Sequence, residues 1–248
     1  DMPTLPRTSD SPSLAGGAPV GEFLALDRGE RLLALCSLRE DSGGLALGTA
    51  GGVVKRVAVD YPLNKESWEV ISLRDGDEVI GAVELTGEQN DLVFITTDAQ
   101  MLRFSADRVR PQGRSAGGMG GINLATRARA VFFGAVNLSV KDGEWASVVV
   151  TVAGSSSALP GTQPGTAKVT PFAEYPTKGR ATGGVRTHRF LKGEDTLILA
   201  WAGLAPPIAA AATGVPLALP QPDSRRDASG TPLRQPVHAV GGPLPPLG

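Results

Sequence analysis

The chain has 248 residues, including 32 glycines and 20 prolines, and its formal net charge is −1. This length can bury a substantial core, and the glycine and proline content suits short strands joined by tight turns better than long helices. The net charge excludes a protein that binds nucleic acid through an overall basic excess. A single cysteine, Cys36, excludes an internal disulfide framework, and we expect it to be a buried packing residue in a reducing cytosol.

Apolar runs separated by tight-turn sequences recur along the chain. The expected strands are, in order, 22–26, 31–38, 45–49, 53–57, 68–73, 79–85, 92–96, 101–104, 122–124, 130–136, 148–152, 168–171, 189–191, 197–201, 207–212, 216–219 and 237–240. Each unit has two hairpins, a basic residue in one strand, a loop of Pro, Arg and Gly, and an acidic turn. Four strands per unit is the pattern of a propeller blade, which buries its faces against neighbouring blades.

The start of the chain and one charge-free segment do not follow the repeat pattern. Because the first residue is Asp1 rather than methionine, we expect a piece of a longer chain, with residues 1–19 as the tail of a truncated repeat. That stretch is polar, so it does not read as a signal peptide. Residues 197–219 carry no charge and have the length of a membrane helix. Pro206 and Pro207 near the middle predict strand, turn and strand instead.

One loop sequence, RPQGRSAGGMGGINL over 110–124, recurs in weaker form. The related stretches are YPLNKESWEVISL, YPTKGRATGGVRTHRF and LPQPDSRRDASGTPL. Their prolines are 49, 65 and 46 residues apart, at Pro62, Pro111, Pro176 and Pro222. A period of about 40–50 residues in a β-rich chain is typical of propellers. We therefore expect one domain over 1–248, with repeats at roughly 20–66, 67–117, 118–183 and 184–248.

Although the net charge of the chain is near zero, basic and acidic residues are concentrated in different segments. Residues 100–135 hold six arginines and one aspartate, and residues 168–192 hold six lysines or arginines and one glutamate, whereas residues 69–98 hold eight carboxylates and one arginine. In a ring of repeats the basic loops would line one rim and the acidic turns another. Such a rim can hold a phosphate backbone, because screening confines charge effects to about 8–10 Å. The alternative is that the arginines only solvate exposed loops and the glycines only permit turns.

Three stretches carry a resemblance to a known family: LALGTAGGVVKRV, DLVFITTDAQMLRFSADRVRPQGRSAGGMGGINL and YPTKGRATGGVRTHRFLKGED. Through them the chain resembles the C-terminal domain of the A-type subunit of bacterial type IIA topoisomerases, DNA gyrase and topoisomerase IV. The resemblance implies an all-β fold, a β-pinwheel of about five to six four-stranded blades that exchange hairpins. Gyrase-type domains carry a QRRGGKG box, which this sequence lacks, so the chain is nearer the topoisomerase IV-like type.

The resemblance also implies a function. It implies a domain that grips and bends duplex DNA on a basic outer rim and presents it to the catalytic core for ATP-dependent strand passage. The residues that would face DNA, carried over by position, are Lys55, Arg56, Arg103, Arg108, Arg110, Arg114, Lys178, Arg180, Arg186 and Arg189. The implied partners are double-stranded DNA, the ATPase subunit, and the rest of the A-type subunit, in the cytoplasm and without a membrane. ATP, magnesium and the DNA-cleaving tyrosine are expected elsewhere in the enzyme, so we expect no cofactor, metal or catalytic residue here.

Other functions stay open at this point. A propeller could serve as a protein-interaction scaffold through its acidic turns, or more remotely as a hydrolase that uses Asp75, Asp77 and Glu78. These carboxylates fall in a polar turn, which favours a solvated role. Two histidines and one cysteine make no metal cluster. His188 lies between basic residues. Its side chain is therefore expected either to contact a phosphate or to be a polar residue at the edge of a strand.

Overall fold

A computed structural model describes residues 20–86, 89–138, 147–159 and 161–243. The tail expected at 1–19 lies outside the described residues. Within them, helix is limited to three short 3₁₀ turns, at Val20–Glu22, Ala106–Arg108 and Phe172–Glu174. None of the described helices has the length or hydropathy of a membrane-spanning segment.

Strands account for the regular structure, and we number them in chain order over the described ranges. They are β1 Leu45–Thr49, β2 Val53–Val57, β3 Val79–Glu84, β4 Asn90–Thr96, β5 Gln100–Ser105, β6 Pro111–Gln112, β7 Met119–Gly120, β8 Ala130–Asn137, β9 Ser147–Gly154, β10 Thr166–Pro171, β11 Val185–Arg186, β12 Thr196–Leu204, β13 Ile208–Ala210, β14 Pro216–Leu217, β15 Thr231–Pro232 and β16 Ala239–Gly241. The bounds expected for β1 and β2 match those observed.

Four of the expected strands do not form, at 22–26, 31–38, 68–73 and 189–191. No described strand pairs with residues 31–38, and Leu35 within this stretch is 62% exposed. Cys36 is accordingly half-buried rather than buried. The expected strand at 122–124 is reduced to a single bridge between Ile122 and Thr182.

The strands form four sheets in the described part of the chain. Their orders are β3-β1-β2-β6 with β7 also on β2, β8-β4-β5-β11, β12-β9-β10-β15 and β16-β13-β14. In each sheet a hairpin pairs on one side with a later strand. In the first three sheets the other side accepts short strands from a loop of the next unit. The prediction of an all-β, propeller-like fold is confirmed, and the described residues contain four of the five to six blades expected.

The sheets are arranged around their inner strands. Strands β3, β8, β12 and β16 contact one another in succession, and apolar side chains fill the space between consecutive sheets. Between the first two sheets, Phe133 packs on Phe94 with ring centroids 4.9 Å apart. A Cβ at Gly81 would meet the Phe133 carbonyl oxygen at 2.3 Å, so this close approach requires glycine. The loop strands β6, β7, β11 and β15 therefore lie at the outer side of their sheets.

Candidate nucleic-acid interface

Two of the loops that supply the outer strands share a glycine with the same backbone geometry. Gly118 and Gly184 adopt φ of +81° and +76°, and a Cβ would meet the carbonyl oxygens of Val54 and Met101 at 2.8 and 2.5 Å. Only glycine fits both constraints. Gly230 takes the corresponding place in the third loop, because β15 pairs with β10 as β11 pairs with β5 and β7 with β2.

This register places one arginine at the same point of every loop. Counting back four residues from the three glycines gives Arg114, Arg180 and Arg226. The sequence prediction included the first two and omitted Arg226 and its neighbour Arg225. A signal for them was present, since each loop contains the pattern Arg-x-x-x-Gly, but the third loop is otherwise degraded.

The strand pairing also corrects the alignment of the loops by their prolines. Arg56 pairs in parallel with Pro111, and Arg103 pairs in the same way with Thr177, so Thr177 rather than Pro176 corresponds to Pro111. It follows that Tyr175 takes the place of Val109 and not that of Arg110. Tyr175 and Val109 are both buried, and each ends a 3₁₀ turn.

The three loops lie side by side along the outer side of the sheets. The Asn123 amide donates to the Thr182 carbonyl at 3.1 Å, which joins the first loop to the second. The Arg189 amide donates in the same way to the Ala228 carbonyl at 3.1 Å, which joins the second to the third. We call this surface, formed by residues 108–123, 174–189 and 223–232, the loop edge.

The ten candidate residues differ in exposure. Arg108, Arg110, Arg186 and Arg189 are exposed; Arg114, Lys178 and Arg180 are half-exposed on the loop edge; Arg56 and Arg103 are half-buried in hairpin strands; Lys55 is buried. The Arg180 guanidinium donates to the Gly120 carbonyl of the preceding loop, and the Lys178 ammonium donates to the Gly184 carbonyl at 2.9 Å. Seven of the ten therefore lie on the loop edge.

Arg56 and Arg103 occupy equivalent strand positions and join successive units. Arg56 Nη1 donates to the Ala106 carbonyl at 3.3 Å, and Arg103 Nη1 donates to the Phe172 carbonyl at 3.3 Å. Arg103 also stacks on the Phe172 ring and lies 3.2 Å from the carboxylate of buried Asp91. Burial raises the pKa of Asp91, and the adjacent guanidinium partly offsets that rise. These contacts give both arginines a structural role inside the fold.

Lys55 was expected to face DNA, yet its side chain is fully buried. Its ammonium donates to the carbonyl oxygens of Gly113, Arg114 and Ala116, each at 2.7 Å. The ammonium therefore holds a loop from beneath and has no surface left for a direct phosphate contact.

His188 is likewise buried, at 1% exposure, which rules out both positions considered for it. Its Nε2 accepts a hydrogen bond from the Gly230 amide at 3.1 Å, and its Nδ1 lies 2.9 Å from Thr151 Oγ1. It fills the place that Ile122 fills in the preceding unit. Burial and the nearby charge of Lys168 lower the pKa of His188 to about 4.

We expect this histidine to make the domain sensitive to mild acid. Its ordinary pKa is 6.5, so above this pH both folded and unfolded chains hold it neutral. Between pH 6.5 and about 4 the unfolded chain binds a proton that the folded chain does not, so the free energy of unfolding falls as the pH falls. Urea unfolding at pH 7 and pH 5 should show wild type losing roughly 2 kcal/mol more than His188→Gln. Equal losses would contradict the assignment.

A group of acidic residues outside the loop edge lies beside the hairpin turns. Asp77 accepts a hydrogen bond from the Gly51 amide at 2.8 Å, and Asp195 accepts from the Ser156 amide at 2.6 Å. Glu78 pairs with Arg129 across 3.3 Å. Over the described ranges no group of three or more His, Cys, Asp or Glu could hold a metal ion.

Comparisons with known proteins agree with this arrangement. A family model described as the DNA gyrase C-terminal domain, beta-propeller, matches residues 90–137 and 161–198. The chain is 36% identical over 175 residues to the A-type subunit of DNA gyrase from Salmonella typhimurium, covering 69% of this chain and 18% of that protein. It is 32% identical over 204 residues to the corresponding gyrase subunit of Mycobacterium bovis, covering 80% and 22%. The chain thus spans about a fifth of the length of these relatives.

Solved structures show the same fold. The C-terminal domain of DNA topoisomerase IV matches with a TM-score of 0.67 at 18% identity, covering 91% of this chain and 70% of that one. The DNA gyrase A C-terminal domain matches with a TM-score of 0.66 at 16% identity, covering 90% and 74%. The family model and the sequence relatives show that the chain belongs to the family of DNA gyrase A C-terminal domains, and the topoisomerase IV domain shares its fold.

Proposed function

We propose that this domain binds duplex DNA along the loop edge and bends it. The observation that carries the proposal is the recurrence of an arginine at one point of three loops that are hydrogen-bonded side by side at the outer side of the fold. A row of cations on one continuous surface suits a phosphate backbone. If the arginines only solvated separate loops, there would be no reason for one of them to recur at the same point of each loop.

The mechanism is electrostatic and independent of base sequence. Guanidinium groups form short, charge-assisted hydrogen bonds with phosphate oxygens, and glycine-rich backbone allows close approach of amide groups. Bending a duplex by 40–90° costs on the order of 1–6 kcal/mol, which several phosphate contacts on a curved edge can offset. Phosphate contacts position the duplex without reading its bases.

The bound duplex would be presented to the catalytic core of the parent enzyme for strand passage. The partners in that process would be the ATPase subunit, and the rest of the A-type subunit, a context supported by the gyrase relatives. ATP hydrolysis, magnesium and the DNA-cleaving tyrosine would belong to those parts of the enzyme.

The carboxylates beside the hairpin turns offer weaker support for a protein-interaction scaffold. Asp77 and Asp195 both bind backbone amides of adjacent hairpin turns, and Glu194 accepts from the Leu191 amide at 2.7 Å. These carboxylates therefore stabilise turns of the domain itself. Among the described residues, two loop-edge arginines have internal side-chain contacts, Arg180 with the Gly120 carbonyl and Arg225 with Asp223. No such contact occupies the side chains of Arg110, Arg114, Arg186 and Arg189 there, which favours the DNA function.

A salt titration tests the proposal. We expect binding of a 40-base-pair linear duplex, followed by fluorescence anisotropy, to weaken steeply as salt rises, with a slope of log K against log salt of roughly −4 to −7. Two duplexes of unrelated sequence should give the same slope. Absence of binding at low salt, or an affinity that does not change with salt, would contradict the proposed function.

A further inference from the structure

Two buried lysines support the loop edge from beneath. Lys55 and Lys168 stand at the same position of their hairpins, three residues after Gly52 and Gly165, and are 0% and 3% exposed. The Lys168 ammonium donates to the carbonyls of Arg225 and Arg226, which correspond to two of the three carbonyls that Lys55 binds.

Turning these carbonyls inward fixes the direction of the neighbouring amides. In a planar trans peptide the C=O of one residue and the N–H of the next point in opposite directions. With three carbonyls aimed at Lys55, the N–H groups of Arg114, Ser115 and Gly117 point away from it, toward the outside of the loop. No hydrogen bond among the described residues uses these three N–H groups. Outward amides beside an arginine form a concavity that suits an oxyanion.

The blade itself does not require a lysine at this position. The middle hairpin has Leu102 there, also fully buried, and its sheet is complete. Burying an ammonium is costly even when carbonyls solvate it, and burial lowers the pKa of Lys168 to about 8 and that of Lys55 in the same direction. In the middle loop, Lys178 binds the carbonyl of Gly184, which corresponds to Gly118 and not to a carbonyl that Lys55 binds.

We propose that Lys55 and Lys168 are positioning residues of the loop edge, whose ammonium groups hold the loops so that backbone N–H groups face the phosphates of bound DNA. This inference rests on the proposed function. It adds a second class of phosphate contact, neutral amides, to the arginines. It also explains why lysines that cannot touch DNA recur beneath the loops.

Salt dependence separates a positioning lysine from one that touches phosphate. We expect Lys55→Met to weaken binding of the 40-base-pair duplex about tenfold, because neutral amide contacts are lost, while the slope against log salt stays unchanged. Loss of a direct phosphate contact would instead lower the slope by about 0.9. Lys192→Met, at an exposed lysine of an acidic turn, is the matched control and should leave the affinity within twofold. A reduced slope for Lys55→Met, or an unchanged affinity, would overturn the proposal.

Amide NMR provides a second readout that loss of stability alone would not move. In wild type, adding duplex should shift the amide resonances of Arg114, Ser115 and Gly117, and in Lys55→Met these shifts should disappear while β4 amides remain protected. Lys168→Met should do the same for Arg226 and Asp227.

The NMR experiment also separates failure of this inference from failure of the proposed function. If wild type binds no DNA, the proposed function is wrong, and so is the part of this inference that concerns contacts between amides and phosphates. The positioning itself is then decided by hydrogen exchange of the Ala116 amide, which donates to the Gly113 carbonyl at 3.1 Å. Faster exchange in Lys55→Met supports the positioning, and unchanged exchange overturns it.

Discussion

Removal of four loop-edge arginines is expected to weaken binding of linear duplex DNA roughly 100-fold or more at 0.15 M salt. The substitutions are Arg110→Ala, Arg114→Ala, Arg186→Ala and Arg189→Ala. Each removes a cation from an exposed or half-exposed position of two adjacent loops. If all four bind phosphates, the slope of log K against log salt should fall by about 3.6, because each contact releases condensed counterions. Fluorescence anisotropy with two unrelated duplexes measures both quantities, and the loss should be the same for both.

A variant with the same change of net charge provides the control. It carries Arg28→Ala, Arg31→Ala, Arg39→Ala and Arg129→Ala, all at exposed positions outside the loop edge. Its effect on affinity should be within about threefold, because a change of distant charge is largely screened at this salt concentration. Equal losses in the two variants would mean that net charge, and not the loop edge, determines binding.

The second large effect concerns stability. Arg103→Met is expected to lower the free energy of unfolding by about 3–5 kcal/mol, because the Asp91 carboxylate is then left buried without its cation. Asp91 is 2% exposed and the Arg103 side chain is 15% exposed, so solvent cannot replace the lost partner. Contacts to the Phe172 ring and carbonyl are lost as well. Urea unfolding at pH 7 measures the change.

A double variant separates these contributions. In Asp91→Asn with Arg103→Met the unpaired charge is absent, so the double variant should be more stable than Arg103→Met alone by about 2 kcal/mol. A change below about 1 kcal/mol for Arg103→Met would show that the pair is not a structural element of the fold.

The hairpins of the fold could be predicted from sequence because their signals are local. Alternating or continuous apolar runs on either side of AGG gave the bounds of β1 and β2 without error. The stretch 31–38 has the same apolar character, but an apolar run becomes a strand only with a partner, and no described strand pairs with it. The sequence also could not reveal that β6, β7, β11 and β15 would complete sheets of the preceding unit, since such pairings join distant segments.

The surface position of the candidate basic residues could be predicted from sequence in the loops but not in the strands beneath them. Arg110 and Arg114 lie on the loop edge because turn residues around them keep them at the surface, and Arg186 lies there in the short outer strand β11. Lys55 and Arg103 have the same residue chemistry, but their partners are carbonyls and a carboxylate brought from elsewhere in the chain. A basic residue in a strand therefore does not indicate by itself whether it faces solvent or the interior.

Site-specific cross-linking to DNA tests the central claim most directly. A photoreactive side chain would be placed singly at Ser115, Gly179 and Asp227, one exposed position in each of the three loops, and at the exposed positions Asp75 and Lys192 of the acidic turns. The account predicts that all three loop positions cross-link to one bound 40-base-pair duplex and that the two turn positions do not. Cross-links confined to a single loop, or formed mainly at Asp75 and Lys192, would contradict a continuous DNA-binding loop edge.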